Sequence, residues 1–203
     1  MTEQGMLIVV SGPSGVGKDT IVRLFLETSA DCVLSVSATT RSPRQGEIEG
    51  VDYFFVDHAA FEALVADGEM LEHAKYGGHY YGTPQKAIDT LIAQGKNVIL
   101  VIEVNGAMLI RKMRPDAVLI FLIPPTWETL EQRLQGRGTE TPEAIQSRLQ
   151  TARSELAEAD KYDYIVVNNT IEQCLHDFSV VMEAARHSSR HMQNHLKEAF
   201  PLC

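Results

Sequence analysis

The stretch Gly12-Pro13-Ser14-Gly15-Val16-Gly17-Lys18 limits what this 203-residue chain can fold into more than any other feature. It carries the spacing G-x-x-x-x-G-K, follows the apolar run at 7–10 and precedes a helical pattern at 20–27. A strand, a glycine-rich turn and a helix in that order make a phosphate-binding loop. The glycines let the backbone curl so that successive N–H groups point inward at phosphate oxygens. The helix N-terminus adds its positive dipole end, and Lys18 can bridge the β- and γ-phosphates. Such a loop requires a parallel sheet with a crossover helix, which places the chain in the α/β class.

The rest of the sequence keeps that rhythm. Short apolar runs at 7–10, 33–37, 97–104, 118–123 and 164–167 read as buried strands. Helical patterns separate most of them: 20–27, 84–94 with Thr83 as N-cap, 127–135 with Thr126 as cap, and 142–159 after Thr141. A last helix starts at Thr170, where Gln173 completes a T-x-x-Q capping box. The predicted architecture is a three-layer sandwich around a central, mostly parallel sheet. Residues 36–83 break the pattern with short strands at 51–56, 70–76 and 79–82 and a Gly77-Gly78 turn, and read as an insertion with its own small sheet. The segment 136–140 (GRGTE) reads as a loop between two helices.

Composition narrows the function classes. The 27 acidic residues outnumber the 18 basic ones, for a formal charge of −9. So acidic a surface argues against a nucleic-acid partner, although it leaves room for a local basic pocket. No apolar run approaches the ~20 residues of a membrane span, and no signal peptide is evident, so no membrane partner and a cytoplasmic location are expected. Cys32, Cys174 and Cys203 form no C-x-x-C pair and are expected as reduced thiols.

A second block concerns the phosphoryl acceptor. Arg41 and Arg44 stand in a turn-rich segment, followed by Gly46-Glu47, Gly50 and Asp52-Tyr53. Two guanidiniums near Tyr53 and Tyr81 suit a dianionic phosphate, because arginine forks bind its oxygens bidentately. With GPSGVGK, SATTRSPRQGEIEGVDYFF, EMLEHAKYGGHYYGTP and GRGTET in this order, the chain closely resembles the guanylate kinase family from about Leu7 to Asn168.

The resemblance implies a P-loop nucleoside-monophosphate kinase that phosphorylates GMP, and dGMP as well, with ATP and Mg²⁺, in purine nucleotide metabolism. It implies a core (6–35, 84–126 and 156–186), a GMP-binding insertion (36–83), a lid (127–155) and a C-terminal helical tail (187–203). Gly12, Pro13, Ser14, Gly15, Val16, Gly17, Lys18, Asp19 and Thr20 match the ATP-binding loop, and Asn168 the contact to adenine. Ser37, Arg41, Arg44, Tyr53, Glu72, Tyr81, Thr83 and Glu103 match the GMP-binding positions. Lys18, Arg41, Arg44, Arg133, Arg137 and Arg148 match the residues that neutralise the transferred phosphoryl group. An ionised Glu72 accepts hydrogen bonds only, which suits the N1–H and N2 amino donors of guanine.

Two positions depart from the family. Asp19 stands where a Ser or Thr usually reaches Mg²⁺, so Thr20, or Asp19 through water, is expected to serve the metal. Val101 replaces one of two acids at a strand end, leaving Glu103. Two rival readings remain. One is a ribose 1,5-bisphosphate phosphokinase, whose G-K-D-S/T resembles Gly17-Lys18-Asp19-Thr20; Ser37, Glu72 and Thr83 argue against it. The other is a catalytically silent guanylate-kinase-like binding domain, against which Gly12, Gly17 and Lys18 argue. The sequence leaves monomer or homo-oligomer undecided. His187, His191 and His195 recur every fourth residue and read as a solvated face of one C-terminal helix.

Overall fold

A computed structural model describes residues 4–136 and 141–200. A five-stranded parallel sheet has the order β2-β7-β1-β8-β9, from β1 (Leu7–Ser11), β2 (Cys32–Leu34), β7 (Asn97–Val101), β8 (Val118–Ile123) and β9 (Tyr164–Val167). A second sheet has the order β4-β3-β6-β5, from β3 (Ser37–Thr39), β4 (Tyr53–Phe55), β5 (Met70–Tyr76) and β6 (His79–Pro84). The helices are α1 (Lys18–Thr28), α2 (His58–Ala66), α3 (Gln85–Ala93), α4 (Val104–Met113), α5 (Trp127–Gln135), α6 (Pro142–Leu156), α7 (Ile171–Arg186) and α8 (Ser189–Ala199). The chain groups into two compact units. The first holds residues up to Leu7, Asp31–Leu100 and Asn105–Ala117, and the second holds Ile8–Ala30, Val101–Val104 and the residues from Val118 onward.

In the second unit, Ile8, Val9 and Val10 of β1 and Leu119–Leu122 of β8 are wholly buried, as parallel strands covered on both faces require. Phe25 of α1 meets Phe178 of α7 edge-on, with ring centroids 4.9 Å apart. Leu130 and Leu134 of α5 pack on Leu149 and Ala152 of α6, with Trp127 and Ile145 against them. The Arg153 guanidinium lies 4.8 Å over the Trp127 ring, so this tryptophan packs within the α5–α6 pair.

In the first unit, the second sheet alternates apart from an irregularity between Met70 and Glu72 of β5. Ala38 of β3 and Met70 of β5 form a core with Phe61 of α2, joined by Phe54, Leu64 and Tyr80. A Cβ on Gly82 would lie 3.0 Å from the Phe61 ring and 2.9 Å from the Glu72 carbonyl, so glycine lets the ring seat on β6.

Several elements differ from the sequence reading. The run expected as one strand at 33–37 splits into β2 and β3, which belong to different sheets. Helix α2 was not foreseen; Asp57 caps it by accepting from Ala60 N–H, ahead of His-Ala-Ala-Phe-Glu-Ala-Leu-Val-Ala. Thr83 is not the cap of α3: β6 runs on to Pro84, which takes that position, and Thr83 is fully buried in the sheet. Thr126, Thr141 and Thr170 do cap their helices. The Gln173 side chain bonds Asp177, so only the threonine half of the expected box forms. The chain turns between α7 and α8 at His187 and Ser188, which takes His187 off the helix that carries His191. No helix among the described residues is long and apolar enough to cross a membrane.

Candidate active site

The phosphate-binding loop leaves β1 at Ser11 and enters α1 at Lys18. Gly12 has φ 148°, and a Cβ there would stand 2.2 Å from the Leu122 carbonyl oxygen of β8. Gly17, with φ 96° as the N-cap of α1, would bring a Cβ to 2.7 Å from the Asn168 amide nitrogen. Both positions therefore demand glycine for conformation and for space. The Lys18 ammonium folds back on the loop and donates to the carbonyls of Gly12 (2.6 Å) and Pro13 (3.3 Å).

Three side chains of the same unit brace the loop from outside. Asn168 is buried (6 % exposed), and its amide donates to the Val16 carbonyl at 2.7 Å. Arg133 of α5 donates to the Val16 carbonyl (3.4 Å) and to the Asn168 carbonyl (3.0 Å). Arg148 of α6 donates to the Ser14 hydroxyl at 3.2 Å. The resemblance sets Asn168 against the adenine base and Arg133 on transferred phosphate; in the structure both also bond the Val16 carbonyl. Asp19 and Thr20 lie exposed in the first turn of α1. Glu103 is exposed just after β7. Arg137 lies outside the described residues.

The other group of predicted residues gathers on the second sheet, and strand parity explains how. Ser37 pairs with Tyr53, Thr39 with both Phe55 and Tyr81, and Glu72 with Thr83. Paired residues of neighbouring strands share a face, and residues two apart along a strand do too. Ser37, Tyr53, Tyr81, Thr83 and Glu72 therefore all stand on the face opposite Ala38 and Phe61. The Thr83 hydroxyl donates to Glu72 Oε1 at 2.6 Å, a short charge-assisted bond that sets the carboxylate's position.

Arg41 lies two residues past the end of β3. Its guanidinium sits 5.4 Å over the Tyr53 ring, and Tyr53 and Tyr81 meet edge-on at 6.0 Å. Its two terminal nitrogens fork onto Glu47 at 2.9 and 2.8 Å. Glu47 also accepts from the Arg44 amide at 2.6 Å, so one carboxylate fixes the whole turn. The bonds from Arg41 and then from the Arg44 amide hold the Glu47 carboxyl below its usual range, and Arg41 is driven further into its charged form. Glu47 was part of the quoted motif but had no role assigned. Its signal was a carboxylate placed just after two arginines in a turn.

A further group missed from sequence is Glu155 of α6. It is half-buried beside the loop, where Lys18 attracts its carboxylate and Glu103 repels it. Burial prevails and pushes its pKa up. Its Glu-Leu context after a helical pattern gave no signal by itself.

Taken chemically, one unit offers a curled set of backbone donors with a lysine. The other offers an arginine turn beside a carboxylate held by a threonine. The family model for guanylate kinase matches residues 4–185. Guanylate kinase of Thermobifida fusca is 48 % identical over 178 residues, covering 88 % of this chain and 91 % of the relative. Guanylate kinase of Clostridium perfringens is 41 % identical over 196 residues, covering 97 % and 91 %. Among solved structures, guanylate kinase from Anaplasma phagocytophilum superposes with a TM-score of 0.73 at 33 % identity, over 100 % of this chain and 98 % of that one. The five-stranded parallel sheet, the glycine loop and these likenesses lead to one conclusion: the chain belongs to the guanylate kinase family.

Proposed function

We propose that the chain transfers the γ-phosphoryl group of ATP to the phosphate of GMP, giving ADP and GDP. The observation that carries this reading is the single sheet face bearing Ser37, Tyr53, Glu72, Tyr81 and Thr83 beside Arg41. Glu72 would accept from N1–H and the N2 amino group of guanine, while adenine lacks the N1–H and would leave that carboxylate poorly matched. Arg41, Arg44, Tyr53 and Tyr81 would take the GMP phosphate.

The reaction asks for little covalent work. A GMP phosphate oxygen, already anionic at neutral pH, forms the new bond to the γ-phosphorus as the bond to the bridging oxygen of ADP breaks. Alignment and charge neutralisation supply the catalysis. Lys18 and the loop amides hold the ATP phosphates, and Arg148 reaches the loop at Ser14. Arg133 braces the loop and, like Arg137, is assigned to the transferred phosphoryl group by similarity. Glu103, at the carboxyl end of β7, stands where ligands gather on open α/β sheets.

Mg²⁺ is the cofactor of this reading. Asp19 and Thr20 offer exposed oxygens in the turn after Lys18, which suits an ion that needs one or two protein ligands besides phosphate. When bound, the ion supplies positive charge to the phosphate oxygens. The working division of the chain is a core (6–35, 84–126, 156–186), an acceptor segment (36–83), a lid segment (127–155) and a tail (187–203).

The test is a coupled assay of ADP formation with ATP, Mg²⁺ and GMP, AMP or ribose 1,5-bisphosphate. Turnover with GMP and not the others supports the reading. Turnover with ribose bisphosphate alone, or with none despite GMP binding, overturns it. Asp19→Ser tests the metal assignment, since an unchanged magnesium dependence removes Asp19 from it.

A further inference from the structure

Strand β1 reads Leu-Ile-Val-Val-Ser, and its last residue is the exception: Ser11 is polar, yet wholly buried between β7 and β8. A buried hydroxyl is costly unless it is hydrogen-bonded, and alanine or valine would continue the apolar run without that cost. The partner of Ser11 is the Ile102 carbonyl, 2.9 Å away and 91 residues on in the chain. Register explains why a side chain is used there. The Ile102 N–H donates to the Val10 carbonyl at 3.2 Å, which sets Ile102 beside Ser11 as in a parallel ladder. The next rung of such a ladder would run from the Gly12 N–H to the Ile102 carbonyl. Gly12, with φ 148°, opens the phosphate loop, and the Ser11 hydroxyl takes the Ile102 carbonyl. The serine thus carries the pairing one step past the point where the backbone turns away.

The bond has functional groups on both sides. After Ser11 comes Gly12, whose carbonyl, with that of Pro13, holds the Lys18 ammonium. After Ile102 comes Glu103, exposed beyond the end of β7. We propose that Ser11 is a positioning residue: its hydroxyl ties the phosphate loop to the strand end that presents Glu103, so that ATP phosphates and acceptor are held in one frame. The inference rests on the reading of the loop as the ATP site and of Glu103 as an acceptor-side residue, and it adds a group to which that reading gave no part. Phosphoryl transfer depends on the alignment of two separately bound groups. Without the hydroxyl, the Ile102 carbonyl loses this partner and the Glu103 end shifts relative to the loop. The nucleotides are then misaligned, although no group that touches either has been removed. The signature is a fall in kcat with binding kept.

Ser11→Ala is the direct test, because it removes the hydroxyl from an otherwise apolar strand. The whole chain is assayed for kcat of ADP formation with ATP, Mg²⁺ and GMP. Calorimetry gives its affinity for GMP and for AMP-PNP with Mg²⁺, a non-hydrolysable ATP analogue. The Glu103 backbone amide resonance is followed with and without AMP-PNP. The variant is expected to bind each nucleotide within about twofold of wild type and to lose about ten- to hundredfold in kcat, the scale of an ångström's misplacement. AMP-PNP should shift the Glu103 amide in wild type and much less in the variant. A kcat unchanged by the substitution makes the bond a strand-end scaffold, whatever the melting temperature does, and overturns the proposal. A Glu103 amide that behaves alike in both proteins overturns it too. So does an AMP-PNP affinity that falls as far as kcat, since the serine would then act on the loop alone. Ser11→Cys keeps the size of the side chain with a weaker donor and is read by the same criteria should the alanine variant not fold. The ATP-site reading fails on a different result, a wild-type chain that does not bind AMP-PNP, and that result withdraws the proposal with it.

Discussion

Thr83→Val isolates the bond on which guanine recognition depends. Thr83 is fully buried, and its hydroxyl donates to Glu72 Oε1 at 2.6 Å. Valine fills nearly the same space, so the main loss is the bond. A hydrogen bond to a charged group contributes about 1.5–3 kcal/mol. Glu72 then keeps its charge but loses the group that fixes its angle toward N1–H and the N2 amino group. If most of the loss falls on the complex, the KM for GMP rises about 10- to 100-fold, at 1.4 kcal/mol per decade. The KM for ATP, which does not use this face, should stay within about twofold. The assay is coupled ADP formation with each nucleotide varied in turn, beside a thermal melt. A melt lowered by about 2–4 °C for each kcal/mol lost, with an unchanged KM for GMP, would make the bond purely a scaffold and refute the reasoning. Equal rises for both nucleotides would refute it too. A double-mutant cycle with Glu72→Ala should show strong coupling, since each change removes the same contact.

Gly12→Ala should abolish ATP binding while GMP binding survives, because its Cβ would meet the Leu122 carbonyl at 2.2 Å; calorimetry with each nucleotide checks this. Glu47→Ala should raise the KM for GMP about tenfold and leave that for ATP alone, because Arg41 loses the fork that sets its plane; a lowered KM would mean that Glu47 competes with the substrate instead. Cys174 is buried in α7, and burial pushes its thiol up to about 11, so iodoacetamide at pH 8 should leave it unmodified until the chain is unfolded in urea. Its contribution to stability follows the same shift. The unfolded thiol releases its proton near 9.0 and the folded one near 11, so the unfolded state binds fewer protons between them and stability falls as pH rises through that window. Denaturant midpoints at pH 8 and pH 10, with Cys174→Ala as control, measure it.

The parallel sheet and the loop were legible because they follow from patterns within a few residues of one another: a buried strand, glycines at fixed spacing, a capped helix. The arginine turn was legible as motif. What the sequence hid was mostly a matter of which partner a group would choose. Thr83 before Pro84 looks like a helix cap, and only the pairing of β5 with β6 turns it toward Glu72. Asn168 and Arg133 are read as ligand contacts, and the bonds that both also make to the Val16 carbonyl, far away in sequence, could not be read from it. Helix α2 escaped notice because it is short and lies among strands, with only Phe61 fully buried. Glu155 is one glutamate among many on a polar helix, and its distinction is a long-range neighbour.

The alternation along β3 has a consequence for how such a protein can change. Ala38 holds the small sheet to α2, and the residues on either side of it, Ser37 and Thr39, belong to the opposite face. Cohesion and choice of acceptor are thus written in odd and even positions of the same few residues. Single replacements on the open face can alter what the sheet accepts while Phe61 keeps its seat. An inserted or deleted residue within β3 would exchange the two sets and lose both at once. The acceptor preference is therefore open to gradual revision by substitution, while the length of this strand is fixed.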